Sequence, residues 1–482
     1  MKLKKITLAL VAVGMGVGGT AQAADADRIA QLEAQMKVLM EQLAALKTST
    51  ATANKEVTEL KDQVAAQSKE VVVAGDIPGS FRVPGSDTSV RLYGVGELNM
   101  VHESKGDAAK NDYSTFMPYM PLNGTSEAKR NGETYLHART SRIGVEAATP
   151  TQYGLLMAKV EGDFNNDPRT GNSAVYGDLK NIYTQQATNS YDFRLRHAYF
   201  AVGGWTVGQT WSTFMDIDNT PETVDFNGPI GSTFIRQPQI RYTYTTPTYG
   251  NFSGAIENSA SYVLVDTGAG NLPEATPAGF AKVPDLVLRW DKAYDWGSLS
   301  LRGVSHELRI DGDVNGTRVD ESKRGYGLAA SGQIKTFGDD FISWIVTGGN
   351  GIGRYLNYVE GAAYDADSGK IVREKALGIV LGYQQKINDR FRMNYVVGSQ
   401  KNYNNDYTDW ARANNMSGAK TDPYEGQYGV NRRITQVHIG GIWNPVKLVD
   451  VGLEYIWGKR ETLAGEEGDM SRINLMARYN LN

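Results

Sequence analysis

One pattern recurs from Ser89 to Asn482: two alternating apolar and polar stretches are joined by a tight turn, and a long polar loop follows. The seven turn segments are Thr149-Pro150-Thr151, Gly203-Gly204, Thr246-Pro247-Thr248, Tyr294-Asp295-Trp296-Gly297, Phe337-Gly338-Asp339, Asn388-Asp389 and Asn444-Pro445. Successive turns lie 43 to 56 residues apart. Alternation with a period of two indicates strands, and seven turns of one kind imply eight hairpins, which is sixteen strands.

The length of chain between the turns indicates the kind of sheet. The 394 residues from 89 to 482 give about 25 residues for each strand and its share of loop, whereas a membrane-crossing strand needs about 9–11 residues. Short turns at one end and long loops at the other are typical of outer-membrane barrels. In lipid the sheet must close on itself, and sixteen strands enclose a water-filled lumen. The sequence therefore predicts an all-β transmembrane barrel of 16 antiparallel strands over residues 89–482, preceded by an α-helical segment.

The strands carry one apolar face and one charged face. Leu156, Ala158 and Val160 alternate with Lys159 and Glu161. A water-soluble sandwich would alternate as well. Charged residues in the middle of strands and the regular hairpin spacing favour the membrane barrel.

The composition excludes several other classes of protein. None of the 482 residues is Cys, so a disulfide scaffold, a thiolate zinc site and a cysteine nucleophile are ruled out. A formal charge of -4 argues against nucleic acid as a partner. The mean hydropathy of -0.40 excludes a bundle of membrane helices, which needs several apolar runs of about 20 residues.

Residues 1–23 have the order of a secretory signal peptide. Lys2, Lys4 and Lys5 precede an apolar run that begins at Ile6, and Ala21-Gln22-Ala23 follows as a cleavage site of small residues. We expect the mature chain to begin at Ala24. An uncleaved membrane anchor is the alternative.

A heptad pattern without a break occupies residues 24–70. Its core positions are Ile29, Leu32, Met36, Leu39, Leu43, Leu46, Thr50, Ala53, Val57, Leu60 and Val64. These positions form one apolar stripe, here called the seam, which predicts a coiled coil that associates with other copies. One helix folding back onto its own barrel is the alternative. Residues 71–88 are interpreted as a linker, because Pro78, Gly79, Pro84 and Gly85 interrupt both helix and strand.

Arginines recur on the strand face opposite the apolar one. Arg194 and Arg196 are predicted to share one face of a strand, with Leu195 and Tyr199 on the other. The complete set of pore-wall candidates is Arg142, Lys159, Glu161, Arg194, Arg196, Arg241, Arg289 and Arg302. Arg keeps its charge and offers a planar fork to carboxylates. Several arginines on separate strands predict an anion-attracting strip, although each could instead pair with a wall acid.

Residues 212–235 show no alternation. This segment carries the acids Asp216, Asp218, Glu222 and Asp225 and the apolar residues Phe214, Phe226 and Ile230. We interpret it as a constriction loop that folds into the lumen and turns its acids toward the arginines. A solvated outer loop is the alternative.

No local motif favours an enzyme. The histidines, which are His102, His137, His197, His306 and His438, lie on different strands without metal-ligand spacing. Glu161 and Asp163 form a pair of carboxylates, but such pairs are common in the walls of water-filled barrels. We expect no catalytic residue, no metal and no cofactor.

Several segments resemble the DcaP-like porins. They are Ile77-Pro78-Gly79-Ser80-Phe81, Gly208-Gln209-Thr210-Trp211-Ser212-Thr213-Phe214, Arg236-Gln237-Pro238-Gln239-Ile240-Arg241-Tyr242, Gly351-Ile352-Gly353-Arg354-Tyr355 and the helical N-terminal segment. The resemblance implies a homotrimer of sixteen-stranded outer-membrane barrels with a periplasmic coiled coil. It also implies an inward-folded third loop, beginning near Trp211, and a preference for small anions, notably dicarboxylates.

The last residues depart from the usual barrel pattern. Outer-membrane barrels commonly end in an aromatic residue that the barrel assembly machinery reads, whereas this chain ends Tyr479-Asn480-Leu481-Asn482. We expect Tyr479 and Leu481 to serve in its place, or assembly to be less efficient.

Together these features favour a passive diffusion channel for small anionic solutes. The expected partners are outer-membrane lipid, two further copies of the chain, the solutes and the barrel assembly machinery. The alternatives are a structural or adhesive barrel tethered through its coiled coil and, less favoured, a barrel hydrolase.

Overall fold

The structure is a computed structural model that describes residues 24–68, 73–106, 117–165, 193–266, 274–276, 278–414, 416 and 430–481. The chain divides into two compact units, with the boundary between Val73 and Ala74. The predicted signal peptide lies outside the described residues.

The first unit contains one helix, α1, at Ala24–Ser68. Its seam residues Met36, Leu39, Leu43, Leu46, Val57 and Leu60 are 49–69% exposed in the single chain. The side chains of Ile29, Leu32 and Val64 are not among those described. The predicted helix is confirmed, while its association into a coiled coil stays a prediction. Among the described residues, no helix is long and apolar enough to cross a membrane.

The second unit is built mainly from antiparallel strands. Their bounds are β1 Phe81–Arg82, β2 Ser89–Lys105, β3 Glu133–His137, β4 Arg142–Thr151, β5 Gly154–Asp163, β6 Arg194–Val202, β7 Trp205–Trp211, β8 Arg236–Thr246, β9 Gly250–Glu257, β10 Leu264–Val265, β11 Glu274–Ala275, β12 Asp285–Tyr294, β13 Gly297–Val314, β14 Thr317–Lys335, β15 Phe341–Asn350, β16 Ala362–Asp365, β17 Lys370–Arg373, β18 Lys375–Asn388, β19 Phe391–Asn402, β20 Asn431–Trp443, β21 Val449–Thr462 and β22 Glu467–Leu481. A short helix, α2, spans Asp406–Ala413.

Sixteen crossings close this sheet into a barrel. The first crossing, β2, pairs with β22 on one side and with β3 and β4 on the other. Because β3 and β4 both pair with β2, they form a single crossing. The crossings are therefore β2, β3 with β4, β5 to β9, β12 to β15, and β18 to β22. The predicted fold, a closed barrel of sixteen antiparallel strands, is confirmed.

The seven hairpin turns lie close to their predicted positions. Six of them fall within or beside the predicted segments, as in the turn at Gly203-Gly204 between β6 and β7. The first hairpin differs because β4 continues through Thr151, where Pro150 stands opposite Leu155. Its turn is therefore at residues 152–153, just beyond the predicted segment.

The outside of the barrel is apolar and its turn end is rich in exposed aromatic residues. Leu288 and Leu328 on the outer face are each 71% exposed, whereas the inward Ser331 and Thr347 are fully buried. The exposed aromatic residues at or near the turn end include Tyr153, Trp205, Tyr244, Tyr249, Trp296, Phe337 and Trp443. An apolar outer band with an aromatic girdle is the surface expected of a membrane barrel.

The segment predicted as a linker contributes to the second unit. The short strand β1 pairs with the start of β2, with Phe81 opposite Val90 and Arg82 opposite Ser89. Asp76 holds this hairpin: its carboxylate accepts a hydrogen bond from the Ser89 hydroxyl at 2.8 Å and from Arg82 at 2.8 Å.

The long loops contain secondary structure of their own. The strands β10, β11, β16 and β17 form a four-stranded sheet from the loops that follow β9 and β15. Helix α2 contributes the buried Tyr407 and Trp410 to a core shared with Leu264 and Ala363 of that sheet. The loop end of the barrel therefore has packed structure, which the sequence pattern did not predict.

The outer face of the barrel provides a direct test of the fold. We expect Leu453→Arg, at an outward position in the middle of β21, to destabilise folding into lipid vesicles by about 2–4 kcal/mol, because a charge at the bilayer centre loses its hydration. Leu453 and Val446 are similarly exposed, at 54% and 62%, but Val446 lies in a turn. Urea titration should show a much smaller effect for Val446→Arg, and equal effects would contradict a membrane-spanning β21.

Candidate functional site in the barrel lumen

The loop of residues 212–235, between β7 and β8, crosses the interior of the barrel. Near its start, Phe214 is fully buried against Val287 and Val304 of β12 and β13. Near its end, the backbone N–H of Ile230 donates a hydrogen bond to Gln436 of β20 at 3.0 Å. The loop thus reaches strands that are far from its own ends, as an inward-folded loop must.

Three of the four loop acids bind basic residues of the wall beneath the loop. Asp216 lies 3.3 Å from the Arg289 guanidinium and 3.9 Å from that of Arg302. Glu222 pairs with Arg392 at 2.7 Å, and Asp225 pairs with Arg472 at 2.5 Å. These pairs fix the loop to β12, β13, β19 and β22. Burial alone would raise the pKa of Asp216, but Arg289 and Arg302 outweigh it and hold this pKa below its usual value.

Two glycines allow the loop to lie directly against the wall. A Cβ atom at Gly398 of β19 would stand 2.2 Å from the backbone oxygen of Ile230. A Cβ atom at Gly378 of β18 would stand 2.4 Å from the backbone oxygen of Gly231. Any larger residue at either position would therefore displace the loop.

Two of the predicted pore-wall arginines, Arg289 and Arg302, lie under this loop. Arg289 Nη1 donates to the backbone oxygen of Met215 at 2.5 Å, and Arg302 Nη1 donates to that of Phe214 at 3.2 Å. Their contacts hold the loop, and the Arg302 side chain is almost completely buried. The fourth acid, Asp218, is exposed, and its backbone oxygen accepts a hydrogen bond from Gln333.

The wall facing the uncovered part of the lumen carries the other predicted residues. We call this set the basic strip; it runs over β2, β4 to β8 and β22. Its cations are Arg91, Arg142, Lys159, Arg194, Arg196, Arg236, Arg241 and Arg478, and its carboxylates are Glu97, Glu146, Glu161 and Asp163. Eight cations against four carboxylates leave an excess of four positive charges in this strip.

The carboxylates of the basic strip are shared among several cations. Asp163 accepts hydrogen bonds from Arg194 at 2.9 Å and from Arg196 at 2.8 Å. Glu161 accepts from Arg196 at 2.6 Å, while Lys159 and Arg142 lie 3.6 Å and 4.0 Å from it. Glu146, Glu161 and Asp163 each serve more than one cation, whereas Glu97 pairs with Arg478. Part of the positive charge of the strip is therefore left uncompensated.

Arg236 and Arg241 have no carboxylate within 4.0 Å in the described part of the chain. The Arg236 guanidinium lies 4.2 Å from the centre of the Trp211 ring, and Arg241 Nη2 lies 3.5 Å from the Thr206 hydroxyl. A buried guanidinium nitrogen of each, together with Nε of Arg142, has no hydrogen-bond partner among the described residues. Neither the charge of Arg236 nor that of Arg241 is therefore neutralised by a direct ion pair with the described residues.

The basic strip is accessible to water inside the barrel. The side chains of Arg91, Arg142 and Arg194 point inward and are nevertheless 27–33% exposed. The interior is therefore divided: the loop fills the space against β12 to β22, and an open space remains along the basic strip.

The predicted orientation of Tyr199 was wrong. Leu195 pairs with Gly162 and His197 pairs with Glu161, so Arg196 is an extra residue in β6 that forms a β-bulge. A one-residue bulge exchanges the two faces beyond it. Tyr199 therefore stands opposite Lys159 on the inner face, and Phe200 is exposed outside.

Several arginines of the basic strip and of the loop contacts were not predicted from the sequence. Arg91 and Arg478 have the same alternation with outward Leu92 and Tyr479 that identified the other wall arginines, and could have been found by it. Arg392 and Arg472 could have been found in the same way, but their role depends on the course of the loop. Arg236 begins β8 directly after the loop, where alternation gives no signal. Among the described residues, no group of three His, Cys, Asp or Glu could hold a metal ion.

Comparison with known proteins identifies similar barrels. A family model described as DcaP outer membrane protein matches residues 21–481. The crystal structure of the outer membrane channel DcaP of Acinetobacter baumannii is 25% identical, with a TM-score of 0.66, and the match covers 85% of this chain and 100% of that one. OmpT of Vibrio cholerae is 13% identical, with a TM-score of 0.45 and coverage of 82% and 97%. An anion-selective porin from Comamonas acidovorans is 13% identical, with a TM-score of 0.46 and coverage of 82% and 100%. No curated protein matches the chain.

The close approach of the loop to the wall can be tested by a single methyl group. We expect Gly398→Ala to lower the free energy of unfolding by about 1–3 kcal/mol, because the Cβ atom would overlap the loop backbone. The matched control is Gly254→Ala on β9, where the nearest atom to a new Cβ is Leu288 Cδ2 at 3.8 Å. Thermal unfolding followed by circular dichroism should separate the two variants, and equal stability would contradict the seating of the loop on β19.

Proposed function

Since the chain belongs to the DcaP outer membrane protein family, we propose that it is an outer-membrane porin through which small anions diffuse, dicarboxylates among them. The solute enters between the long loops, passes the basic strip and leaves at the turn end. No energy source and no cofactor takes part.

The observation that carries this proposal is the unequal distribution of charge across the lumen. On the loop side, Asp216, Glu222 and Asp225 are each paired with an arginine. On the open side, the basic strip has four more cations than carboxylates. A unit charge 4 Å away contributes about 4 kcal/mol at an effective dielectric of 20. Attraction of this size would offset much of the cost of removing water from an anion in a narrow passage.

The arrangement of guanidinium groups favours carboxylates over a simple halide. A guanidinium group presents parallel N–H donors that match the two oxygens of a carboxylate. Arg236 and Arg241 have no carboxylate within 4.0 Å among the described residues, and the side chain of Arg142 is 27% exposed. A solute with two carboxylates could engage two of these groups in succession along the strip, which supports the preference for dicarboxylates.

We further propose that α1 lies in the periplasm and joins three copies into a homotrimer. The support is the uncovered seam: a helix of 45 residues with exposed Leu39, Leu43 and Leu46 gains little in water unless another helix covers that stripe. The apolar outer face of the barrel supports contact with outer-membrane lipid. The closed sheet of sixteen strands supports the barrel assembly machinery as a further partner.

Selectivity is best tested with the two unpaired arginines. We expect Arg236→Gln combined with Arg241→Gln to lower the anion-to-cation permeability ratio about threefold, which corresponds to about 0.7 kcal/mol of lost attraction between partly screened charges. Reversal potentials in planar bilayers, with potassium chloride and then potassium succinate gradients, measure this ratio. The succinate permeability should fall by the larger factor.

The matched control removes the same charge at the turn end, away from the basic strip. Lys335 and Arg390 are exposed at the turn end and form no ion pair within the described part of the chain. Lys335→Gln combined with Arg390→Gln should leave the reversal potential unchanged. If both double variants behave alike, the basic strip does not set selectivity, and if the wild-type protein shows no conductance steps, the chain is not an open channel.

The proposed role of α1 in assembly makes a separate prediction. Leu39→Asp combined with Leu43→Asp should convert the detergent-solubilised trimer to monomers, because charges in the seam cannot be buried. Val38 and Met40 are also apolar and exposed, at 52% and 64%, but lie outside the seam. Val38→Asp combined with Met40→Asp should leave the mass measured by analytical ultracentrifugation unchanged. A trimer that survives both changes would mean that the barrels associate without α1.

A further inference from the structure

The outer face of the barrel carries a row of cations at its loop end. Its members, which we call the outer basic row, are Arg324 on β14, Arg373 at the end of β17, Lys375 on β18, Lys401 on β19 and Arg433 on β20. They lie just beyond the outward apolar residues of neighbouring strands, such as Leu328 on β14 and Leu377 on β18.

The members of the row are joined by direct contacts. Arg373 Nη1 donates to the backbone oxygen of Arg324 at 2.6 Å. The ammonium groups of Lys375 and Lys401 both lie over the ring of Tyr403, 5.8 Å and 5.0 Å from its centre. Lys401 in turn stands directly opposite Arg433 in the register of β19 and β20. The row is therefore continuous across β14 to β20.

No carboxylate lies within 4.0 Å of any member of the row in the described part of the chain. Glu307 stands opposite Arg324, but its carboxylate accepts hydrogen bonds from the backbone of Lys282 and Val283 and lies 3.8 Å from Arg309.

At the other end of the row, Glu461 stands opposite Arg433 but pairs with Arg432 at 3.5 Å. The row consequently holds five adjacent positive charges that lack direct ion-pair partners.

An apolar groove on the outer face extends from β9 to β18 and meets the row at β14 and β18. It has a volume of about 830 Å³, and its outward lining residues are Phe252, Leu288, Leu301, Leu328, Val346 and Leu377. Leu328 is four residues from Arg324 and Leu377 is two residues from Lys375, so the groove begins about 7–13 Å from the cations toward the turn end. Gly303 and Gly348 form part of its floor.

We propose that the outer basic row and this groove bind a phosphate-bearing lipid of the outer leaflet. The row holds the phosphate through charge-assisted hydrogen bonds, and the groove takes an acyl chain. This inference rests on the proposed membrane placement, with the long loops facing outward. A free phosphate ion would leave the groove unused, and a second copy of the chain seated here would bury five cations without partners.

Lipid retention in native mass spectrometry tests the proposal on the detergent-purified full chain. The probes are diphosphoryl lipid A, the same lipid with both phosphates removed, and inorganic phosphate. Wild-type protein should retain diphosphoryl lipid A. Arg373→Gln, Lys375→Gln and Lys401→Gln together should weaken its binding at least about tenfold, because each removes a cation close to the anionic headgroup.

A triple variant at the opposite end is the matched control. Lys335→Gln, Arg390→Gln and Lys447→Gln together remove three charges that form no ion pair in the described part of the chain. This variant should bind like the wild type. Equal loss in both triple variants would overturn the proposal, as would equal retention of the dephosphorylated lipid or displacement of the lipid by millimolar phosphate.

The groove is tested separately by filling it. A Cβ atom at Gly303 would meet only Leu328 Cδ2 at 3.5 Å, so Gly303→Leu should fold while occupying the groove. It should weaken lipid A binding, and unchanged binding would contradict the acyl-chain part of the proposal. A change of oligomeric mass in this variant would instead identify the face as a subunit contact.

Conductance of these variants in bilayers of neutral lipid separates this inference from the proposed function. The variants of the outer basic row should conduct like the wild type, because none of the changed residues lines the lumen. A channel that conducts normally while its barrel fails to retain lipid A overturns the lipid site alone. A barrel that retains lipid A without conducting overturns the channel alone.

Discussion

The pairing of β2 with β22 is the interaction on which the rest of the molecule depends. It joins the first and last crossings over most of their length, from Gly94 opposite Leu481 to Lys105 opposite Ser471. Without it, the sheet would have two free edges whose N–H and C=O groups could not be satisfied in lipid. With it, every second side chain is committed to the outside and the rest to a common interior. The charges inside the barrel can act together on one interior space only because the pairing of β2 with β22 closes that space.

Within that space, the loop of residues 212–235 determines which wall a solute meets. Buried ion pairs contribute little net stability, since removing water from two charges offsets most of their attraction. These pairs mainly determine where the loop lies. The buried carboxylates of Asp216 and Asp225 are neutralised where Arg289 and Arg472 stand, and the partly exposed Glu222 pairs with Arg392. The same pairs remove acidic charge from the open side. One group of ion pairs thus sets both the position of the loop and the charge of the open side of the lumen.

The sequence predicted the barrel well because the patterns that specify a barrel involve residues close together in the chain. Period-two alternation and regularly spaced turns specified sixteen crossings, and the absence of alternation in residues 212–235 identified the loop. The failures have equally definite causes. Alternation cannot reveal a one-residue bulge such as the one at Arg196, so Tyr199 was assigned to the wrong face. It also cannot reveal that Arg289 lies under a loop residue 73 positions earlier, Asp216, because that contact depends on the three-dimensional path of the loop.

The small hairpin of β1 and β2 has a mechanical consequence. Tension applied through α1 would first reach Ala74 and Gly75, which pair with Phe81 and Ser80, and then Phe81 itself at the open end of the hairpin, opposite Val90. Strands loaded from that end separate one residue pair at a time. The contacts that oppose this include the hydrogen bonds of Asp76 with Arg82 and Ser89. The hairpin would therefore separate at low force and lengthen the connection to α1. The pairing of β2 with β22 would then not bear the force.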